Sequence, residues 1–111
     1  MATPGRLRSG REFDAVFQEG IAVSGPLFVV RARPNGLRVA RVGYAVGKRI
    51  APLSTVRNRT RRRLREAIRA AGLPPGYDLV VIARPAALQA PFAQLVAAAR
   101  RAIGVVLERQ G

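Results

Sequence analysis

The residues best able to do chemistry in this sequence form a dense basic run in its middle third. Between positions 48 and 69, nine basic residues stand against one acid, Glu66. The candidate binding residues of this run are its nine cations, Lys48, Arg49, Arg57, Arg59, Arg61, Arg62, Arg63, Arg65 and Arg69. A guanidinium is planar and permanently charged, and its fork of donors matches the oxygens of a phosphate. The run therefore indicates binding to a polyanion.

The composition of the whole chain supports that interpretation and excludes several kinds of catalysis. The 111 residues include 20 Lys and Arg against 6 Asp and Glu, a formal net charge of +14. This charge far exceeds what solubility requires, so nucleic acid is the expected partner. Cys and His are absent, which rules out disulfides, thiolate nucleophiles, histidine acid–base catalysis and the common zinc and haem ligand sets. We expect no catalytic residue and no metal site in the protein itself.

The basic run must be positioned by a helix, which we expect over residues 54–71. Apolar residues recur along one side of this stretch, and Gly72 with two following prolines ends it. On a helical wheel Asn58, Arg62, Arg65 and Arg69 point away from the apolar side, with Arg59 and Arg63 on one flank and Arg57 and Arg61 on the other.

A solvated helix face usually alternates its charges, whereas this one sets Arg four residues from Arg four times. Each such pair costs about 0.2–0.5 kcal/mol. The simpler alternative, an ordinary solvated face, is therefore disfavoured, because phosphates would relieve a repulsion that water leaves in place.

The remaining elements predict one α+β domain spanning residues 1–111, with a flexible basic N-terminus over residues 1–8. A capping box of Ser9 and Glu12 opens a first helix over residues 10–19. Strands are expected at 21–24, 27–33 and 37–46, and the turn signal Pro34-Asn35-Gly36 predicts that the last two form a hairpin. An apolar run at 78–83 predicts the last strand, buried at the centre of the sheet, and a long amphipathic helix follows from Phe92.

The predicted order αβββαβα gives a sheet of about four strands packed by helices. No segment reaches the roughly 18 apolar residues of a membrane span, and the N-terminus lacks the apolar core of a signal peptide. We therefore expect a cytoplasmic protein with no membrane contact.

Residues 56–67 resemble the Arg-Asn-Arg signature helix of the bacterial ribonuclease P protein family. Segments 13–20, 42–49 and 78–84 resemble that family's first helix, its third strand with a basic turn, and its last strand. The resemblance runs from about residue 6 to residue 103. It implies a ribosomal protein S5 domain 2-like fold, in which a left-handed βαβ crossover carries the signature helix. General rules alone would not predict this crossover, since about 98% of such connections are right-handed.

The resemblance also implies a function. Members are the protein subunit of ribonuclease P, a ribonucleoprotein endoribonuclease whose RNA carries the chemistry with Mg²⁺ held mainly by that RNA. The implied partners are ribonuclease P RNA and precursor tRNA, whose 5′ leader is removed, and no protein partner is required. The basic run would then contact RNA, and the resemblance adds Asn58 of the Arg-Asn-Arg signature to its RNA-binding residues.

The family's leader groove lies between the first helix and the sheet, and its aromatic positions match Phe13 and Phe17. Periodicity alone favours the core for both rings, and the resemblance adds a partly exposed ring face for stacking. Phe28 is expected in the core. Three residues later, where many members have an aromatic, this chain has Arg31, a third candidate leader-binding residue.

A second departure from the family is the turn before the signature helix. Residues 48–56 are one residue longer than the usual family pattern, lack its glycine and contain Pro52, so the geometry of this turn is not carried over from the family.

Two other functions stay open. The chain could be a ribosomal or other structural RNA-binding protein, or an RNA chaperone, of similar build. It could also be an independent nuclease, although its candidate metal ligands show no motif spacing; they would be Asp14, Glu19, Glu66 and Asp78.

Overall fold

The computed structural model describes residues 5–110. In chain order the elements are β1 (Gly5–Arg6), α1 (Gly10–Glu19), β2 (Ile21–Ser24), β3 (Phe28–Pro34), β4 (Arg41–Ala45), α2 (Ser54–Ala71), β5 (Tyr77–Ala83), a 3₁₀ turn (Pro85–Leu88) and α3 (Phe92–Gln110). The α+β class is confirmed. Both predicted helix ranges, 10–19 and 54–71, are also confirmed, and α1 begins with the predicted capping box between Ser9 and Glu12.

Among the described residues the sheet has five strands in the order β1-β4-β5-β3-β2, so the apolar strand β5 lies at its centre as predicted. β5 pairs in parallel with β4 and antiparallel with β3. The segment β4-α2-β5 is therefore a βαβ crossover that carries the basic helix. The left-handed sense of this crossover stays a prediction from the resemblance.

The predicted hairpin between residues 27–33 and 37–46 is wrong, because β5 lies between the corresponding strands β3 and β4. β3 instead forms its hairpin with β2. The turn signal at Asn35 and Gly36 does mark a chain reversal, since Gly36 has φ +71° and the Asn35 side chain accepts from the backbone N–H of Leu37. β4 is also shorter than the expected range of 37–46.

Strand β1 corrects two expectations, a sheet of about four strands and a flexible N-terminus over residues 1–8. It pairs in parallel with β4, and Leu7 just beyond it is buried. The expected flexible terminus therefore does not include residues 5–8, while residues 1–4 of that prediction lie outside the described residues. A two-residue strand shows no alternation for a sequence pattern to detect, so only the tertiary contact of Leu7 fixes it.

Two apolar clusters hold these layers together. The larger lies between the sheet and helices α2 and α3, and includes Phe28 as predicted. The smaller lies under α1 and consists of Leu7, Val16 and Val80, with Phe13 and Ile82 packed against it. α1 thus crosses one face of the sheet, and α2 and α3 cover the other.

Candidate nucleic-acid interface

Helix α2 presents part of the basic run to solvent. Its buried side consists of Thr60, Leu64, Ala67 and Ile68, and the side chains of Asn58, Arg62 and Arg69 are exposed, as the helical wheel predicts. Arg59 is exposed as well. Arg65 departs from the prediction, because its guanidinium lies 5.6 Å from the centre of the Tyr44 ring and the residue is only half-exposed.

Three other arginines of α2 contact the protein itself. Arg57 donates from Nη1 to the carbonyl oxygens of Ala51 and Pro52, at 2.9 and 2.8 Å. Arg63 donates to the carbonyl of Ala90, and Arg61 donates to Oδ1 of Asn58 at 2.9 Å. These hydrogen bonds leave Arg59, Arg62 and Arg69 as the members of α2 that are most free to reach a ligand.

The turn before α2 carries the two remaining basic candidates, Lys48 and Arg49, both exposed. Its backbone is held by the bonds from Arg57 and by one from the N–H of the buried Ala51 to the carbonyl of Gly47, at 3.1 Å. The longer turn with Pro52 is thus fixed by an arginine of the signature stretch. Leu53, the residue before α2, is 66% exposed and adds an apolar side chain to this end of the basic surface.

Within residues 5–110 no carboxylate forms an ion pair with an arginine of α2, although α2 carries one acid of its own, the exposed Glu66. The ion pairs of this part of the chain join Arg33 to Glu19 and Asp78, and Arg41 to Glu12 and Asp78. All of them lie on the α1 side of the sheet. The positive charge of α2 is therefore available to an external anion, because the single acid of the helix offsets only a small part of it.

The predicted leader-binding residues lie on a second candidate surface, beside α1, and their environments differ. Phe13 is half-buried against Gly43, and a Cβ on that glycine would overlap the Phe13 ring. Phe17 is 40% exposed. The guanidinium of Arg31 lies 5.0 Å from the centre of the Phe17 ring and donates from Nη2 to the Phe17 carbonyl at 2.8 Å. Phe17 and Arg31 thus form a stacked pair, while Phe13 mainly docks α1.

A polar network that sequence reasoning missed anchors this surface. The fully buried Asp78 accepts from Arg41 at 2.8 and 2.7 Å and from Nδ2 of Asn35 at 2.9 Å. Arg41 also donates to Oε2 of Glu12 at 2.6 Å, and Oε1 of Glu12 accepts from the backbone N–H groups of Arg8 and Ser9. The network ties the start of α1 to the sheet.

The electrostatics of the network follow from these contacts. Burial alone would raise the pKa of Asp78, but the hydrogen bonds from Arg41 and Asn35, together with the charges of Arg41 and Arg33, outweigh burial and lower it. The backbone N–H groups of Arg8 and Ser9 are the main cause of the lowered pKa of Glu12. Both carboxylates therefore stay ionised and engaged. The only sequence signal was an acid at the start of an apolar strand, which did not identify its partner.

The acids weighed as metal ligands are not brought together. Asp78 and Glu19 bind arginines, Asp14 and Glu66 are exposed on different helices, and among residues 5–110 no group of three His, Cys, Asp or Glu is placed to hold a metal ion. In the same part of the chain, no helix has both the length and the apolar character needed to cross a membrane.

Comparison with known proteins gives one consistent family. The model of the family described as Ribonuclease P matches residues 1–106. A protein of Dehalococcoides mccartyi (strain CBDB1) named ribonuclease P protein component is 35% identical, over 94% of this chain and 86% of that protein. A protein of the same name from Roseiflexus castenholzii is 38% identical, over 96% of this chain and 85% of the relative.

Solved structures agree with these relatives. The ribonuclease P protein of Thermotoga maritima is 32% identical and superposes with a TM-score of 0.74, covering 94% of this chain and 96% of that one. The Staphylococcus aureus protein shares the fold with a TM-score of 0.75 at 24% identity, covering 97% and 96% of the two chains.

Proposed function

Because the chain belongs to the ribonuclease P protein family, a part of the ribonuclease P holoenzyme involved in tRNA processing, we propose that it binds the catalytic RNA through α2 and the turn before it. The observation that carries this proposal is the exposed positive face of α2, with Arg59, Arg62 and Arg69 free of any carboxylate among the described residues. Binding RNA phosphates releases counterions and replaces the repulsion between neighbouring arginines with attraction.

The second part of the proposal is that the 5′ leader of precursor tRNA binds beside α1. Phe17 offers an exposed ring face, and an unpaired base stacked on an aromatic ring contributes about 1–3 kcal/mol. Arg31 lies against the same ring, where its charge favours the backbone of the strand whose base is stacked. In this proposal Phe13 contributes by fixing α1 on the sheet rather than by stacking.

The chemistry of leader removal is assigned to the RNA. The proposed Mg²⁺ is held mainly by RNA phosphates. Glu12, Glu19 and Asp78, beside α1, are engaged with arginines, and the exposed Asp14 and Glu66 lie on different helices. The protein then acts by binding and positioning two RNA strands, and it would do so in the cytoplasm. The network of Asp78, Arg41 and Glu12 supports this role by holding α1 at a fixed place on the sheet.

The experiment is multiple-turnover cleavage of precursor tRNA by ribonuclease P RNA at low Mg²⁺, with and without this protein. We expect the protein to increase the cleavage rate or to tighten precursor binding. The double variant Arg59→Gln/Arg62→Gln is expected to lose much of this effect. The charge-matched control Arg100→Gln/Arg101→Gln removes two exposed charges from α3 and should behave as the wild type.

Failure of the wild type to change either cleavage or precursor binding would contradict the proposal. Equal losses in the two double variants would favour a general RNA chaperone, in which only total charge matters. Cleavage of precursor by the protein without RNA would favour the independent nuclease.

A further inference from the structure

A cavity at the edge of the sheet lies between β1 and the second half of α2, away from the Phe17 surface. It has a volume of about 340 Å³ and is lined by Arg6, Arg8, Tyr44, Arg65 and Arg69, with Val42 and Leu73 among its other walls. A smaller neighbouring cavity of about 170 Å³ shares Arg6, Tyr44 and Arg65 and adds Arg61. At about 30 Å³ for each water molecule, the larger cavity has room for about ten waters or for a hydrated phosphate group.

The position of β1 creates this cavity. Leu7 is buried against Val16 and Val80, and its N–H donates to the carbonyl of Val42 at 3.2 Å. Residues on either side of a buried position in an extended chain point the opposite way. Arg6 and Arg8 are accordingly exposed. Both line the cavity, and Arg65 and Arg69 of α2 also line it.

The cavity is strongly positive. Among residues 5–110, four guanidinium groups and no acidic residue line the cavity, and none of those four arginines takes part in an ion pair. Four like charges around one cavity repel one another, and an anion of two or more oxygens placed between them turns that repulsion into attraction.

Tyr44 gives the cavity a neutral donor and a rigid wall. Burial raises the pKa of Tyr44 to about 12, while the charges of Arg65 and Arg69 act in the opposite direction. The hydroxyl therefore keeps its proton at neutral pH and can donate a hydrogen bond to an anion. The ring lies under the Arg65 guanidinium, and a cation stacked on an aromatic ring in this way loses freedom before any ligand arrives.

We propose that this cavity binds phosphodiester groups of an RNA strand that runs along the edge of the sheet, with Arg6, Arg8, Arg65 and Arg69 as charge partners and the Tyr44 hydroxyl as a hydrogen-bond donor. The proposal rests on the RNA-binding function above and extends the RNA surface from α2 to β1. The N-terminal strand thereby becomes a wall of a binding site.

The test is the salt dependence of RNA affinity for Arg6→Gln and Arg69→Gln, with Arg100→Gln, an exposed residue of α3, as the matched control. Each lost phosphate contact reduces the slope of log affinity against log salt by about 0.7–0.9. We expect that reduction in both cavity variants and none in the control. Tyr44→Phe keeps the ring under Arg65, and is expected to weaken binding about twofold to tenfold, with little change in slope, because it removes one neutral donor.

Three ligands separate the possible sources of the phosphate. Ribonuclease P RNA alone tests the catalytic RNA, precursor tRNA added to the assembled complex tests the substrate, and a labelled oligouridylate tests the cavity without either. A reduced slope with either of the first two ligands supports the proposal and identifies the strand. With the oligouridylate we expect the same pattern, a reduced salt slope for Arg6→Gln and Arg69→Gln and an unchanged slope for Arg100→Gln.

Slopes for Arg6→Gln and Arg69→Gln equal to that of Arg100→Gln on all three ligands would overturn the proposal. If the wild type still stimulates precursor cleavage in that case, and Arg59→Gln/Arg62→Gln loses that stimulation, the cavity assignment fails together with the role of Arg69, and RNA binding through Arg59 and Arg62 stands. If the wild type neither binds ribonuclease P RNA nor stimulates cleavage, the proposed function fails, and the oligouridylate slopes still decide whether the cavity binds phosphodiesters.

Discussion

Arginines on the two sides of this sheet have different partners. On the α1 side, Arg33 and Arg41 lie in register beside Asp78 on neighbouring strands and are paired with carboxylates. On the α2 side, Arg62 and Arg69 have no carboxylate partner among the described residues. Arg33 and Arg41 therefore hold the fold together, whereas Arg62 and Arg69 stay available for a ligand.

This contrast limits what charge alone can tell about function. A net charge of +14 indicates a polyanion as partner but does not say which arginines meet it. The partner of each guanidinium decides the role of that arginine. A paired and half-buried arginine contributes to stability, whereas an unpaired one on a positive helix contributes to association with RNA. Substitutions in the two regions should therefore change different measured quantities.

The largest expected effect is on stability, from Asp78→Ala. Removing this fully buried carboxylate leaves Arg41 and Asn35 without their shared partner, and breaking a buried pair in this way costs about 3–5 kcal/mol. Urea denaturation followed by circular dichroism measures the change in the free energy of unfolding. The control Asp14→Ala removes an exposed acid of α1 and should change it by less than about 0.5 kcal/mol. Similar small losses in both variants would remove the structural role of the network.

Acid titration tests the contribution of the ionised Asp78 carboxylate to stability. The pKa of Asp78 is lowered in the folded protein from its ordinary value of 3.8, so its contribution is fully present above that value and is lost as pH falls through the folded-state pKa. We expect the free energy of unfolding to fall with pH below about 4, and Asp78→Asn to flatten that dependence. A variant whose acid dependence matches the wild type would contradict the lowered pKa.

A smaller effect is expected from the glycine where α1 ends. A Cβ at Gly20 would lie 2.7 Å from the Ala32 carbonyl oxygen and still closer to that of Val16, so Gly20→Ala must push α1 away from β3 at a cost of about 1–3 kcal/mol. Gly10→Ala at the other end of α1 meets nothing within 4 Å and should be neutral or slightly stabilising. Equal thermal melting temperatures for the two variants would show that α1 is not docked this tightly.

The α1 surface itself is tested by Phe17→Ala. Loss of the exposed ring should weaken binding of precursor tRNA with a leader by about 1–3 kcal/mol, while affinity for mature tRNA stays at the wild-type level. Filter binding of both ligands to the assembled complex measures the difference. A loss of the same size on both ligands would exclude Phe17 from leader binding.

Local signals in the sequence were sufficient to predict the bounds of helices α1 and α2. The capping box at Ser9 and Glu12 and the apolar periodicity of residues 54–71 each depend on residues a few positions apart, and both helices have the predicted bounds. The central position of β5 also followed from its unbroken apolar run. Interactions within one turn or one strand are what sequence patterns encode.

Lateral pairing and the partners of the arginines depend on residues far apart in the chain. The hairpin prediction failed because β5, some 40 residues later, lies between β3 and β4. Asp78 and Arg41 are 37 positions apart, so no local pattern joins them. The bonds of Arg57 to the preceding turn and of Arg63 to Ala90 likewise depend on loops whose path the helical wheel does not specify.

The most direct test of the division between the two regions compares Arg62→Gln with Arg33→Gln in two assays, the salt dependence of affinity for ribonuclease P RNA and the free energy of unfolding. We predict that Arg62→Gln reduces the salt slope by about 0.7–0.9 and leaves stability within about 0.5 kcal/mol of the wild type. Arg33→Gln should lower stability and leave the slope unchanged. A slope reduced equally by both variants would contradict the division into paired arginines that hold the fold and unpaired arginines that bind RNA.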